Sequence, residues 1–139
     1  MLQTSHALFL PVLAQVLLTI LVYFALARAK SQAIREGKVD RQRAALHADA
    51  WPESVVKINN NIRNQFEVPV LFYVVCFVLV ALNTTGTLVQ VLAWLFVATR
   101  TVHAWVHTRS NIVPVRFMSF LIGVVVLVAL WVIAFLRII

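Results

Sequence analysis

The sequence is poor in acidic residues, in glycine and in cysteine. Its 139 residues include five Asp and Glu, three Gly and one Cys. Four of the five acids lie in or beside one polar loop, so neither a carboxylate pair nor a Ser-His-Asp set can be assembled. The few glycines exclude a glycine-rich phosphate loop, and the single Cys76 excludes an intrachain disulfide. Classical hydrolase and nucleotide chemistry are therefore excluded.

Apolar residues, in contrast, are abundant. They make up 62% of the chain, and the mean hydropathy of +0.91 is too high for an ordinary soluble domain. The net charge of +7 is concentrated in one place, because most Lys and Arg lie between Arg28 and Lys57. Such a basic loop beside a spanning helix indicates membrane orientation or attraction to anionic lipid. We therefore expect membrane lipid, and no nucleic acid, as a partner.

Four apolar runs are long enough to cross a bilayer, since about 20 helical residues span a hydrocarbon core of about 30 Å. We predict helices at 6–29, 52–82, 87–108 and 114–137, with a cytoplasmic loop at 30–51. Pro69 should bend the second of these helices. The predicted fold class is an all-α integral membrane protein, a bundle of four transmembrane helices in a single domain at 1–139.

The basic loop also predicts the orientation. By the positive-inside rule it is cytoplasmic, which places both termini on the non-cytoplasmic side. Gly37 should break any continuous helix there. Arg28 lies at the membrane edge and is a candidate anion ligand. The small size and the lack of retention signals fit a bacterial inner membrane.

A polar stripe marks the start of the second apolar run. Glu67 is the only acid in any apolar run, and at about 100° per residue it shares one helix face with Asn60, Arg63 and Asn64. Ionisable groups at membrane depth cost at least about 2.5 kcal/mol, so they usually face a bundle interior or a cavity. We predict that this stripe faces inward with Arg63 as the nearest partner of Glu67. A structural pair that fixes helix packing is the alternative.

The end of the third helix carries a second polar face, with Arg100, His103 and His107 at i, i+3 and i+7. Short loops make neighbouring helices antiparallel, so this face lies on the same side of the membrane as Glu67. The histidine spacing is that of a helical zinc site, but no third ligand is nearby, and we expect no metal.

Together the two polar faces predict a cytoplasm-facing cavity that is rich in arginine and amide. Such a cavity suits a small anionic ligand, with arginines for carboxylates and Glu67 for an ammonium group. Glutathione carries both kinds of group. A guanidinium near its sulfur would favour the thiolate, and apolar co-substrates could enter from the bilayer.

Two short motifs resemble a known family. Asn64-Gln65-Phe66-Glu67 followed by Pro69 resembles the Asn-x-x-Glu and proline signature on the second helix of the membrane-associated proteins in eicosanoid and glutathione metabolism, which include microsomal glutathione transferases. Arg100-Thr101-Val102-His103 resembles the Arg-x-x-His or Arg-x-x-Tyr of their third helix. The resemblance covers nearly the whole chain and implies a homotrimer with glutathione sites between subunits at the cytoplasmic side.

The resemblance also implies roles for individual residues. Asn64 and Glu67 would bind glutathione, Arg100 would contact its carboxylates, and His103 would be a further contact. The predicted binding set is Asn64, Glu67, Arg100, His103, Arg63 and Arg28, with Arg116 as the catalytic, thiolate-stabilising arginine. The chain departs from the family at Asn60, where many members carry arginine, and in having proline two positions after the glutamate instead of three or four.

The sequence is compatible with three functions. The leading hypothesis is a glutathione transferase or peroxidase-like enzyme that uses glutathione as co-substrate and acts on small lipophilic substrates. The alternative is a non-catalytic lipid-binding or accessory membrane subunit, because family members without catalysis exist. A proton-coupled small-molecule transporter built around Glu67 is the least favoured, since transport requires alternating access.

Overall fold

The structure, a computed structural model, describes residues 6–139 and contains no strand within them. Its elements are α1 (Phe9–Arg35), a 3-10 turn (Ala48–Ala50), α2 (Glu53–Gln65), α3 (Val68–Ala81), α4 (Thr87–Thr108) and α5 (Val113–Leu136). When α2 and α3 are counted as one span, four spans among these residues are long and apolar enough to cross a bilayer. The prediction of an all-α chain with four spanning helices is confirmed.

Helix α1 is longer than the sequence predicted. It continues past residue 29 because residues 30–35 include lysine, glutamine, alanine and arginine, which favour helix. It ends at Gly37, whose φ of +66° lies in the left-handed region. The N–H of Gly37 donates to the Ile34 carbonyl at 3.2 Å, and the N–H of Lys38 donates to the Ala33 carbonyl at 3.0 Å. These are the two hydrogen bonds of a Schellman motif, which ends helices in this way.

The loop between α1 and α2 is held against the base of α1. The Trp51 indole N–H donates to the Ala44 carbonyl at 3.0 Å, and the Lys30 ammonium lies 4.8 Å from the Trp51 ring centroid. Arg43 and Asp49 form an exposed ion pair at 2.7 Å, which holds the pKa of Asp49 below its usual range. We call the end of the bundle that carries this loop and the turn at 109–112 the loop end, and the end that carries the turn at 82–86 the opposite end.

The second predicted helix is divided in two, which corrects the prediction of one bent helix at 52–82. Glu67 has a ψ of −101°, outside the helical range, and Pro69 lies in the first turn of α3. Proline has no N–H, so the carbonyl four residues earlier loses its helical partner, and the ring also disfavours helical backbone just before it. Glu67 therefore stands at a break between α2 and α3.

The interior consists of two apolar clusters. The apolar half, towards the opposite end, joins α1, α3, α4 and α5 and includes Val12, Phe72, Leu79, Phe96 and Leu130. The loop-side cluster joins α1, α2 and α4 and includes Val22, Leu26, Val55, Ile62 and Ala104. The interior also contains buried polar side chains, and we call six of them the polar layer, namely Gln15, Asn61, Gln65, Arg100, His103 and His107.

Helices α4 and α5 approach each other closely at Gly123 of α5. A Cβ atom at this position would lie 3.0 Å from Thr99 Oγ1 and 3.8 Å from Arg100 Cδ. Only a residue without a side chain allows α5 to pack this closely on α4, as at small-residue contacts between membrane helices. Gly123 is therefore a close-packing point between α4 and α5.

Candidate functional site

Arg100 lies at the centre of the polar layer and is fully buried. Its Nη2 donates to the Asn64 carbonyl at 3.1 Å, and the guanidinium carbon lies 5.9 Å from the Phe120 ring centroid. Its Nε and Nη1 atoms have no hydrogen-bond partner among residues 6–139. Arginine carries five N–H donors, so most of its hydrogen-bonding capacity is unused.

No carboxylate neutralises this buried cation within the described part of the chain. The two ion pairs found there are Lys38–Glu36 and Arg43–Asp49, both in the loop. Glu67 is close enough to attract Arg100 electrostatically, but the two side chains form no salt bridge. A buried charge without a hydrogen-bonded partner is costly, and an anionic ligand would remove that cost.

His103 lies one helical turn from Arg100 and is 3% exposed. Its Nδ1 atom is 3.1 Å from the Arg116 carbonyl. A carbonyl oxygen can only accept, so Nδ1 carries the hydrogen and the neutral ring keeps a lone pair on Nε2. That buried Nε2 has no partner among residues 6–139.

A chain of three hydrogen bonds crosses the polar layer and ends at the second histidine. Gln15 of α1 donates to Gln65 at 2.9 Å, Gln65 donates to Asn61 at 3.1 Å, and Asn61 Nδ2 lies 3.3 Å from His107 Nδ1. Since the Asn61 Oδ1 atom already accepts from Gln65, its amide nitrogen faces His107 and donates. His107 Nδ1 therefore accepts, and its hydrogen is on Nε2.

Arg116 lies in the first turn of α5 beside these histidines and is half-buried. Its Nη1 donates to Asn111 Oδ1 at 2.6 Å, and its carbonyl accepts from the Ser119 hydroxyl at 2.9 Å. Asn111 has a φ of +52°, in the left-handed region that asparagine tolerates, so the turn between α4 and α5 sets the direction of Arg116.

A cavity of about 400 Å³ opens beside these side chains. Its wall is formed by Asn60, Asn64, His103, His107, Val113, Arg116, Phe117 and Phe120. The polar part of the wall is cationic, amide or imidazole and contains no carboxylate, whereas the rest is apolar. Its volume falls in the range of roughly 300–1,000 Å³ that is typical of small-molecule sites. The cavity therefore suits an anionic ligand together with an apolar group.

The structure brings only part of the predicted binding set together. Asn64, His103 and Arg116 line the cavity, and Arg100 lies behind it in contact with the Asn64 carbonyl. The other three predicted residues, Arg28, Arg63 and Glu67, are exposed on the outside of the single chain.

The predicted inward face of the second helix is correct for Asn60 and Asn64, which line the cavity, and wrong for Arg63 and Glu67. Asn61 and Gln65 are buried together with Ile62, whereas Arg63 and Glu67 point outward and do not pair with each other. The apolar side chains decide the rotation of α2, because Ile62 packs in the loop-side cluster. The neutral amides of Asn61 and Gln65 form hydrogen bonds with other buried amides. Burying the charged side chains of Arg63 and Glu67 would cost more free energy.

Sequence reasoning missed Gln15, Asn61 and Gln65, the three amides that position His107. A signal for them was present, since Asn61 and Gln65 are four residues apart and Gln15 interrupts a long apolar run. Within residues 6–139 no three His, Cys, Asp or Glu side chains lie close enough to hold a metal ion. Cys76 is buried in the apolar half and away from the cavity lining.

Comparison with known proteins identifies a family. The sequence model of the MAPEG family matches residues 8–136, nearly the whole chain. Searches of curated proteins and of solved structures give no match.

Proposed function

This chain belongs to the MAPEG family, and on that premise we propose that it is a glutathione transferase or peroxidase-like enzyme acting on small lipophilic substrates in the membrane. Its loop end faces the cytoplasm in this proposal, because most Lys and Arg lie between Arg28 and Lys57. The proposed location is a bacterial inner membrane.

The observation that carries the proposal is the unpaired guanidinium of Arg100. It is fully buried, two of its nitrogen atoms lack partners in the described residues, and its electrostatic attraction to Glu67 falls short of an ion pair. A protein that kept such a group only for structure would gain by replacing it with an apolar residue of similar volume. A bound carboxylate would instead form charge-assisted hydrogen bonds with it, which are about twice as strong as neutral ones.

The cavity fits the remaining parts of glutathione. A carboxylate of glutathione would contact Arg100, and the peptide groups of the ligand would find hydrogen-bonding partners in Asn60 and Asn64. The apolar wall of Phe117 and Phe120 would take the lipophilic co-substrate next to the sulfur. Bringing the two reactants into contact is itself a large part of catalysis.

Arg116 is the proposed thiolate-stabilising residue. It lines the cavity, one of its nitrogen atoms is fixed by Asn111, and its other donors can reach a ligand. A guanidinium beside a thiol favours the thiolate, which is the nucleophilic form. In a transferase reaction the thiolate sulfur would attack an electrophilic carbon and form the C–S bond, while the leaving group on that carbon departs with the electron pair of its bond. In a peroxidase reaction it would attack a peroxide oxygen and displace the alkoxide.

A homotrimer accounts for the charged residues that lie outside the single chain. Arg63 and Glu67 are exposed beside the break between α2 and α3, and at membrane depth exposure to lipid would be costly. In the proposed trimer a neighbouring subunit covers this face, and Glu67 and Arg28 complete the glutathione site across the interface. In this arrangement Glu67 binds the ammonium group of the ligand.

The proposal is tested by titrating the detergent-solubilised protein with glutathione in a calorimeter while thiolate absorbance is measured in the same samples. We expect binding together with thiolate formation. Arg116→Gln should retain binding with a several-fold weaker affinity and lose most of the thiolate signal. Arg137→Gln, at the opposite end of the bundle, is the matched control and should behave as wild type. The absence of binding at millimolar glutathione would overturn the proposal.

One observation favours a second candidate, a non-catalytic member that binds an anionic lipid or small molecule. Asn60 lines the cavity at the position where the resemblance expects an arginine, so the site has one cation fewer for thiolate stabilisation. Glutathione binding without thiolate, or binding of a lipid analogue in place of glutathione, would support this candidate.

A further inference from the structure

The two histidines of the cavity are held in opposite tautomers. His103 donates from Nδ1 to the Arg116 carbonyl at 3.1 Å, which leaves the lone pair of Nε2 without a partner in the described residues. His107 accepts at Nδ1 from Asn61 at 3.3 Å, which leaves its hydrogen on Nε2. One ring therefore offers an acceptor and the other a donor, although they belong to the same helix and their centroids are only 5.5 Å apart.

The donor tautomer of His107 is set by residues that do not line the cavity. We call Gln15, Gln65 and Asn61 the relay, because each side chain donates a hydrogen bond to the next one on the way from α1 through α2 to His107 on α4. All three side chains are at most 1% exposed. Reversing the tautomer would place two donors against each other at the Asn61 contact. The Oε1 atom of Gln15, at the start of the relay, has no partner among residues 6–139. Reversing every hydrogen bond of the relay would require the Gln15 amide to turn over as well.

We propose that His103 accepts the thiol proton of bound glutathione at Nε2, while His107 donates a hydrogen bond to the ligand from its own Nε2. The inference rests on the proposed function and deepens it, because it assigns a proton acceptor to a site otherwise described by its arginines. Gln15, Gln65 and Asn61 are positioning residues that act through His107.

The charge balance of the cavity is compatible with this transfer. The charged or titratable groups within electrostatic range of His103 are Arg100 and His107 on α4 and Arg116 on α5. With these groups nearby, an isolated imidazolium would be unfavourable. The transfer does not create one, since the proton moves from sulfur to nitrogen and leaves a thiolate and an imidazolium side by side. Such a pair attracts, and it adds no net charge to the site.

The chemical step balances with 1-chloro-2,4-dinitrobenzene as a lipophilic electrophile. The S–H bond breaks and its proton goes to His103 Nε2. The thiolate attacks the carbon that bears chlorine and forms the C–S bond, and chloride leaves with the electron pair of the C–Cl bond. The proton on His103 then passes to water, which restores the neutral ring for the next cycle.

The direct test compares thiolate formation with proton release. The protein in detergent is mixed rapidly with glutathione, and thiolate absorbance and a pH-indicator dye are followed together. We expect wild type to form thiolate while releasing almost no proton to the solvent, because His103 keeps it. In His103→Asn, any thiolate that forms should release about one proton each, and turnover should fall by about 100-fold or more, the usual contribution of a general base. His107→Asn is the control and should keep the low proton release of wild type.

The outcomes separate this inference from the proposed function. If wild type forms thiolate and releases about one proton for each, His103 is not the acceptor, and the inference fails while the proposed function stands. If wild type binds no glutathione, or binds it without thiolate, the catalytic proposal fails and the inference fails with it.

The positioning role of the relay is tested by nitrogen-15 NMR of histidine-labelled protein. We expect wild type to show His103 with hydrogen on Nδ1 and His107 with hydrogen on Nε2. Gln65→Leu should convert His107 to a mixture of tautomers and leave His103 unchanged. Gln15→Leu, which also removes an unpaired buried oxygen, is a second variant in case Gln65→Leu does not fold, and should shift His107 in the same direction. A wild-type His107 with hydrogen on Nδ1 would overturn the assignment.

Discussion

The apolar half of the bundle and the polar layer are formed largely by the same helices, yet they differ in whether their buried groups have partners. In the apolar half Phe72, Leu79, Phe96 and Leu130 are fully buried, and the Phe72 and Phe96 rings stack at 4.2 Å. In the polar layer four buried polar atoms have no partner among residues 6–139, and they belong to Gln15, Arg100 and His103. Within the described residues the apolar half is closely packed, whereas several atoms of the polar layer lack hydrogen-bond partners.

This difference indicates which region provides stability and which provides function. Buried polar groups are normally satisfied, and exceptions call for a specific explanation. Sites that act on ligands are often strained or unsatisfied without them, so mutations there can remove function without lowering stability. The comparison therefore predicts that substitutions in the two regions have separable effects on ligand binding and on unfolding.

The largest effect on function is expected at Arg100. Arg100→Met keeps an unbranched apolar stem and removes the guanidinium with its charge. Glutathione affinity should fall by about 100-fold or more, because a buried charged contact is worth about 2–5 kcal/mol. The melting temperature of the ligand-free protein should stay the same or rise, since an unpaired buried cation is removed. Calorimetric titration and thermal unfolding in detergent measure the two quantities, with Arg137→Met as control. A lower melting temperature with unchanged glutathione affinity would show that Arg100 provides stability and not ligand binding, which would contradict the comparison.

Leu79→Ala should show the opposite pattern. Leu79 is fully buried in the apolar half, so truncation should lower the free energy of unfolding by about 2–5 kcal/mol. Glutathione affinity of the folded fraction should stay within about twofold of wild type. Leu88→Ala is a suitable control, because Leu88 is 65% exposed. A large loss of affinity in Leu79→Ala would show that the two regions are coupled.

Gly123→Ala tests the contact between α4 and α5 beside Arg100, which should affect both unfolding and ligand binding. The added Cβ would lie 3.0 Å from Thr99 Oγ1, so α4 and α5 must separate slightly. We expect a loss of about 1–3 kcal/mol in the free energy of unfolding and a several-fold weaker glutathione affinity, because Arg100 lies beside the contact. Gly86→Ala is the matched control, since a Cβ there meets nothing within 4 Å. Equal behaviour of the two variants would contradict the close packing at Gly123.

The smallest effect is expected at Gly37, which ends α1 far from the cavity. Its φ of +66° disfavours a side chain, although a Cβ there would meet no atom within 4 Å. Gly37→Ala should therefore destabilise the protein by about 1 kcal/mol through backbone strain alone, with glutathione affinity unchanged. Chemical unfolding beside Gly86→Ala measures this difference. Weaker glutathione binding in Gly37→Ala would show that the loop reaches the site.

Much of the fold follows from hydropathy alone. The third and fourth helices were predicted at 87–108 and 114–137, and the structure has Thr87–Thr108 and Val113–Leu136. Runs bounded by short polar turns are the clearest signal for membrane helices. The sequence did not predict the extension of α1, because its polar end looks like loop, nor the complete break at Glu67, because Pro69 by itself predicts only a bend.

The candidate site was harder to predict from the sequence. Charge suggested that Arg63 and Glu67 face inward, but Ile62 determines the rotation of α2 and turns Asn61 and Gln65 inward. The partners of these amides lie on other helices, 46 and 50 residues away in the sequence. No local pattern encodes such long-range contacts. Arg100 and His103 were identified because they share a helix face, which is local information.

The most direct test of the account is an experimental structure of the assembled protein with glutathione bound. We predict that an anionic group of glutathione lies within hydrogen-bond distance of Arg100 Nε or Nη1, the two atoms of this guanidinium that lack partners among residues 6–139. This prediction would be contradicted if Arg100 instead paired with a protein carboxylate, such as Glu67 of its own or a neighbouring subunit, while glutathione bound elsewhere or not at all.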